Sequence, residues 1–332
     1  MSYSGRTKQN TTWQLLFASV LYFCCLYQIW ATEATASNGQ IWLDGILGFL
    51  HSYPFIPKII TSVFLLLNTL SLMLILRRFS LIELRNYAPA LLYLLFVFVF
   101  PQMINLWSML IGFFIITGIL PQLFEIDDNN LHSKTFMFGL WCGILAVIDF
   151  YFIFLLLLIY PICLFSRKIS FRSIILPIVG VSVAFIYLFS IFYLTDNYVL
   201  MHSFIDFIQG KFILAPLERS LENSESHFFI SFLITTILSI AALYKILSKV
   251  STVVIHRRRK YFTLSFLFFS FVVLLIFCRS SMSLFLPVIL ILCTMIVCVA
   301  MSHGKRNLFY KAIFILLFCL KWIQIATLVF SV

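Results

Sequence analysis

The sequence predicts an all-α, polytopic membrane protein, and three observations point there. Of 332 residues, 62% are hydrophobic and only 11% are charged, against about 45–50% and roughly 25% in a soluble domain. The apolar residues come in unbroken runs near the roughly 20 residues that a helix needs to cross a bilayer. Those runs lack the apolar–polar alternation of an outer-membrane barrel strand. Helices are then the only spanning element left.

The first run, Thr12–Ala31, follows a short basic lead, Arg6 and Lys8. It is long enough to span, and the polar stretch after it lacks a small-residue cleavage site. It therefore reads as a retained helix and not a signal peptide, with residues 1–11 as a cytoplasmic tail. Further full-length spans are expected at Ile59–Leu76, Ser173–Leu194, Phe228–Leu247, Tyr261–Cys278, Met282–Met301 and Leu308–Phe330. Between them Tyr87–Phe100 is a short run stopped by Pro101, and Ile104–Leu120 is stopped by Pro121. The run Lys134–Phe165 is too long for one span and carries a single acid, Asp149.

Lys and Arg gather on the cytoplasmic side of membrane proteins, which fixes the expected topology. Arg77, Arg78 and Arg85 fall inside, as do Lys134, the segment "SRKISFR", the loop "HRRRK" (residues 256–260), Lys305 and Arg306. For Lys134 and Arg167 to share a side, the chain must cross an even number of times between them. The long run is therefore expected to split near Asp149 into two short helices, with Asp149 at an outer turn, hydrated or lining a cavity. Of 23 basic residues only Lys58, Lys211, Arg219, Arg279 and Lys321 fall outside. The expected architecture is a single integral membrane domain over residues 1–332. It has about eleven crossings, the N-terminus inside and the C-terminus outside.

This placement also explains the net charge of +11. A single-strand nucleic-acid site interleaves basic residues with stacking aromatics on a soluble surface. Here the basic residues sit in short loops between spans, where they orient the chain and meet lipid headgroups. A nucleic-acid partner is not expected. The eight cysteines lie in or beside apolar runs, where free cysteine packs as a small hydrophobe.

The outer face carries the candidate chemistry. In the outer loop 32–58, "GQIWLDGILGFLHSYPF" places Gln40, Asp44, Gly48 and His51 on one helical face among apolar neighbours. This is the pattern of a helix lying in the membrane interface, a place where a lipid-linked substrate enters. A second outer loop, 195–227, contains "FIDFIQ", an interfacial stretch with Asp206 exposed. Arg279, in "CRSSMS", sits at a tight outer turn, and arginine holds phosphate bidentately. The candidate catalytic residues are Asp44 and Asp149, with His51 and Arg279 for a lipid phosphate. The loop "EIDDNNLHSK" matches no metal-loop spacing and reads as solvated. Neither metal nor cofactor is expected, since Gly-rich phosphate loops, GxSxG, HExxH and CxxC are all missing.

Two resemblances extend this reading. "RNYAPALLYLL", the stop at Phe100–Pro101, the Gly139/Gly143 pair of "FGLWCG" and "SFRSIILPIVG" resemble a family of uncharacterised multi-span inner-membrane proteins of Bacteroidota. That resemblance implies a bacterial inner-membrane location and brings no activity with it. The layout, a first span, an outer loop with an interfacial helix, short paired helices and a GxxxG run, is similar to the C-type membrane glycosyltransferases. It implies an acid in the first outer loop, Asp44 or Glu33, acting on a polyprenyl-phosphate-linked sugar. The paired acids usual in those enzymes are not present here. Two functions follow as expectations. One is a membrane subunit or scaffold of the cell envelope with lipid and membrane-protein partners. The other is a glycosyltransferase-like protein.

Overall fold

The computed structural model describes residues 3–31, 53, 55–82, 87–100, 105–126, 130–157, 159–160, 171–196, 198–212, 226–248, 250, 255–277 and 282–302. Among the described residues the regular structure is all helix, with no strand. In chain order the helices are α1 (Tyr3–Ala31), α2 (Phe55–Arg78), α3 (Ala88–Val99), α4 (Leu106–Phe124), α5 (Leu131–Ile148), α6 (Phe171–Leu194), α7 (Tyr198–Phe212), α8 (Ser226–Ser248), α9 (Ile255–Phe277) and α10 (Met282–Ser302). A 3₁₀ segment, Phe150–Leu155, follows α5. Stretches of α1, α2, α4, α5, α6 and α10 are each long and apolar enough to cross a membrane, and the chain is a membrane protein on that ground. The stretch Leu308–Phe330 lies outside the described residues.

The most apolar of these helices is also the most buried. Every residue of α10 from Leu284 to Ala300 is buried, and α3, α4, α8 and α9 pack around it. A helix that is apolar on all sides has no polar face to present and takes the centre of a bundle. The surrounding helices are two-faced. On α2, Thr61, Leu65, Asn68 and Leu72 face inward. Phe55, Ile59, Val63, Leu66, Leu70 and Leu74 form the exposed stripe. Hydroxyls inside the bundle satisfy themselves locally. Thr61, Thr69, Ser265 and Thr294 each donate to the carbonyl four residues back, at 2.7–2.8 Å. This is the standard way to bury a hydroxyl where no water is at hand.

Two elements differ from expectation. Pro121 does not stop its helix, which runs on to Phe124. The stretch Ile115–Ile119 widens to π geometry, with the Leu120 N–H donating five residues back to Ile115. That shift places Pro121 at the start of a new α segment, where its missing N–H costs nothing. The second difference is "HRRRK", which is not a loop but the first turns of α9. Arginine and lysine are good helix formers, and these find partners beyond their own helix, as described below.

The split of the long run at Asp149 is present. α5 ends at Ile148 and the Asp149 backbone is extended, φ −142° and ψ 120°. Beyond the break, α5 and α6 run side by side in the same direction. Gly139 abuts Pro177, Gly180 abuts Phe136 and Leu140, and Gly143 abuts Val181 and Ala184. Partner numbers rise together, so α6 begins at the end of the bundle where α5 begins. This seam is backbone against backbone. A Cβ at Gly139 would stand 2.1 Å from the Pro177 oxygen, and one at Gly180 2.5 Å from the Phe136 oxygen. Small residues permit this approach, which is how membrane helices gain packing attraction without a hydrophobic drive.

Candidate functional site

Contacts sort the helix ends into two groups. At one end, Gln14 of α1 accepts from the Tyr87 N–H at the start of α3 (3.2 Å). Glu125, just past α4, pairs with Arg78 at the end of α2 and with Lys134 in α5. Arg259 of α9 donates to the Ile126 carbonyl (2.8 Å), and Lys260 to the Phe79 carbonyl (3.3 Å). Ser302, the last residue of α10, donates to the Leu81 carbonyl (3.4 Å). This is a basic end. Its cations sit on carbonyls at the C-terminal ends of α2 and α4, where helix dipoles leave partial negative charge.

Arg77 adds a cation–π contact there, its guanidinium carbon 5.2 Å from the centre of the Tyr87 ring. The turn after α2 holds Ser80 in the left-handed region, φ 54°. That lets Phe79, Leu81 and Ile82 fold back into the core. At the opposite end, Lys58 donates to the Trp30 carbonyl (3.0 Å) and Gln28 to the Phe98 carbonyl (3.4 Å).

Asp149 belongs to that opposite end, since α5 begins at the Glu125 cluster and climbs away from it. Its Oδ1 accepts from the Tyr151 N–H at 3.2 Å and so caps the 3₁₀ segment. The expectation of a hydrated or cavity-lining acid needs correction, because Asp149 has no exposed surface. The cause is the fold-back after the break. Phe152 and Leu155 turn fully inside, and the Phe152 ring packs 4.8 Å from that of Phe285 on α10. Asp44, His51 and Arg279 lie outside the described residues, so the structure describes only Asp149 of the four candidates.

Two polar features escaped the sequence reading. Glu125 stands in the loop that the sequence predicts as solvated, yet it ties three helix ends together. Asn68 sits fully buried in α2 and donates through Nδ2 to the Met109 carbonyl of α4 (2.9 Å). Tyr93 of α3, also fully buried, directs its hydroxyl to Met109 Sδ at 3.8 Å. Gly112 leaves room for this node, since a Cβ there would come within 3.2 Å of Asn68 Nδ2. The signal was available: an amide in the middle of "FLLLNTLSLMLIL" asks for an interhelix partner.

Other candidate features resolve simply. Asp206 is exposed on α7, as expected, while Phe204 is buried against Phe185, Phe189 and Phe192 of α6, with ring centres 6.0–6.4 Å apart. Cys25, Cys142, Cys293 and Cys298 are buried thiols outside any disulfide, and the Cys25 thiol donates to the Leu94 carbonyl at 3.6 Å. Among the described residues, no three His, Cys, Asp or Glu side chains come together to hold a metal ion. An open groove of about 480 Å³ lies on the C-terminal half of α6, lined by Ile186, Phe189, Ser190, Tyr193 and Leu194.

Comparison with known protein families, curated proteins and solved structures gives no match to this chain.

Proposed function

We propose that this chain is a multi-pass subunit or scaffold of the bacterial inner membrane, built to receive an apolar partner helix on α6. The basic end faces the cytoplasm, and eleven crossings carry the chain from an inner N-terminus to an outer C-terminus. The face of α6 carries the reading. α6 is held by α5 along one narrow seam and by α7 near its end. Its open side presents Val179, Ser182, Ile186, Ser190 and Tyr193, all exposed, at helical spacing. A purely lipid-facing stripe has no need of hydroxyls, whereas small hydroxylated residues let a second helix approach closely. The shallow groove at Ile186–Leu194 lies on the same face. The test places a photo-crosslinking residue at Ile186 or Ser182 and, as control, at Ile237 on the exposed stripe of α8. Discrete protein adducts from the α6 positions alone support the reading. Lipid adducts alone at every position refute it.

A second reading is a glycosyltransferase-like protein that uses a polyprenyl-phosphate-linked sugar at the outer face. Two observations favour it. Asp149 lies at the end of the bundle where α1 and α9 end and α2 and α10 begin. The α6 groove lies toward the same end, on Ile186–Leu194, and its lining is mostly apolar, as a prenyl chain requires. Here Asp44 is the base and His51 and Arg279 hold the phosphate, while Asp149, buried, holds the 3₁₀ turn at that end. Asp44→Asn and Asp149→Asn variants that fold normally yet produce an envelope-glycan defect support it. Unchanged envelope glycans in both variants exclude it.

A further inference from the structure

The exposed face of α2 ends in a cation. Phe55, Ile59, Val63, Leu66, Leu70, Leu74 and Arg78 are exposed at intervals of three and four residues. They form one stripe down the helix, six apolar residues followed by a guanidinium. From Leu66 to Leu74 the stripe rises about 12 Å, close to the roughly 15 Å depth of one hydrocarbon leaflet. The Arg78 side chain is 65% exposed even though it pairs with Glu125. With five N–H donors, the guanidinium retains capacity beyond one carboxylate. Lys134, on the other oxygen of Glu125, brings a second cation within reach. Lys260 of α9 reaches the carbonyl of Phe79, the next residue after Arg78.

We propose that this stripe is a phospholipid site: an acyl chain lies along Leu66, Leu70 and Leu74, and the lipid phosphate is held by Arg78 with Lys134. The inference is independent of any α6 partner. Charge complementarity selects the occupant. Arg78 and Lys134 share one described carboxylate, Glu125, and Arg259 and Lys260 bind the carbonyls of Ile126 and Phe79 next to this pair, so a headgroup of net negative charge is favoured over a zwitterionic one. Arginine suits the role because its planar fork matches phosphate oxygens. Glu125 positions both cations, and it also competes with the phosphate for them.

That double role makes the site testable with the full chain purified in mild detergent. Binding is read by native mass spectrometry and by thermal stabilisation on adding phosphatidylglycerol, phosphatidylcholine or inorganic phosphate. Phosphatidylglycerol is expected to be retained and to stabilise, and Arg78→Gln to weaken it about tenfold, the worth of one charge-assisted hydrogen bond. Glu125→Gln breaks the same ion pair but keeps both cations, so it is expected to bind the lipid at least as well as the parent. Leu70→Trp, which crowds the stripe without touching the charges, is expected to displace the chain and weaken retention. Equal retention of both lipids, Glu125→Gln behaving like Arg78→Gln, or full stabilisation by inorganic phosphate alone each overturns the proposal.

Discussion

Replacing Gly139 by alanine sets helix propensity against packing, and the two predict opposite signs. A new Cβ would stand 2.1 Å from the Pro177 carbonyl oxygen, where ordinary contact begins near 3.4 Å. The obstacle is backbone, so no side-chain rotation relieves it, and α5 and α6 must part by about 1.3 Å. A gap of that size forfeits half or more of the dispersion attraction along the seam, including the close approach of Gly143 to Val181 and Ala184. Overpacking costs about 1–3 kcal/mol, and a rigid obstacle puts this site at the upper end. Alanine returns about 1 kcal/mol through its better helix propensity. The net expectation is a loss of about 2 kcal/mol.

Gly112→Ala supplies the control. Its Cβ would meet Ile291 Cδ1 at 3.1 Å and Asn68 Nδ2 at 3.2 Å, both side-chain atoms that can shift by a few tenths of an ångström. The overpacking cost there is small, so the change should be close to neutral. The assay is denaturant or thermal unfolding of the full chain in a mild detergent. A Gly139→Ala variant as stable as the parent, or more stable than Gly112→Ala, would refute the backbone-to-backbone seam.

Two further predictions probe the buried polar groups. Asn68→Leu removes the amide that bridges α2 to the Met109 carbonyl and should cost about 1 kcal/mol, the range of an interhelix hydrogen bond in a membrane; an unchanged midpoint would show that the node is dispensable. Asp149→Asn keeps an oxygen to accept from the Tyr151 N–H, whereas Asp149→Ala deletes the cap and should lose about 1 kcal/mol relative to it, measured in the same unfolding assay. Equal stability of the two variants would show that capping is not the role of Asp149.

Most of the helix plan was legible because bilayer crossing imposes length and apolarity together. Met282–Met301 and Ser173–Leu194 match their helices to within two residues. The break at Asp149 was legible from charge alone, since basic residues flank the long run on both sides. The centre of the bundle was not legible. α10 and α2 both read as spans, and the sequence does not show that one is enclosed while the other faces lipid. Pro121 misled because its stop signal is local, while the π turn that absorbs it lies one turn earlier. Burial of Asp149 was not legible either, because the chain after it packs inward against α10, as Phe152 does on Phe285, a contact between residues far apart in sequence. Of the candidate site, Asp149 is described and the other three members are not.

We propose a multi-pass membrane chain whose basic end lies in the cytoplasm and whose α7 lies on the other side. Cysteine accessibility tests it most directly. The eight native cysteines are replaced, and single cysteines are introduced at His132 and Asp206, both exposed. A membrane-impermeant thiol reagent is then applied to spheroplasts, whose outer membrane no longer shields the inner one. The account predicts labelling of Asp206→Cys in intact spheroplasts, and of His132→Cys only after the membrane is opened. Labelling of both from the same side would contradict it.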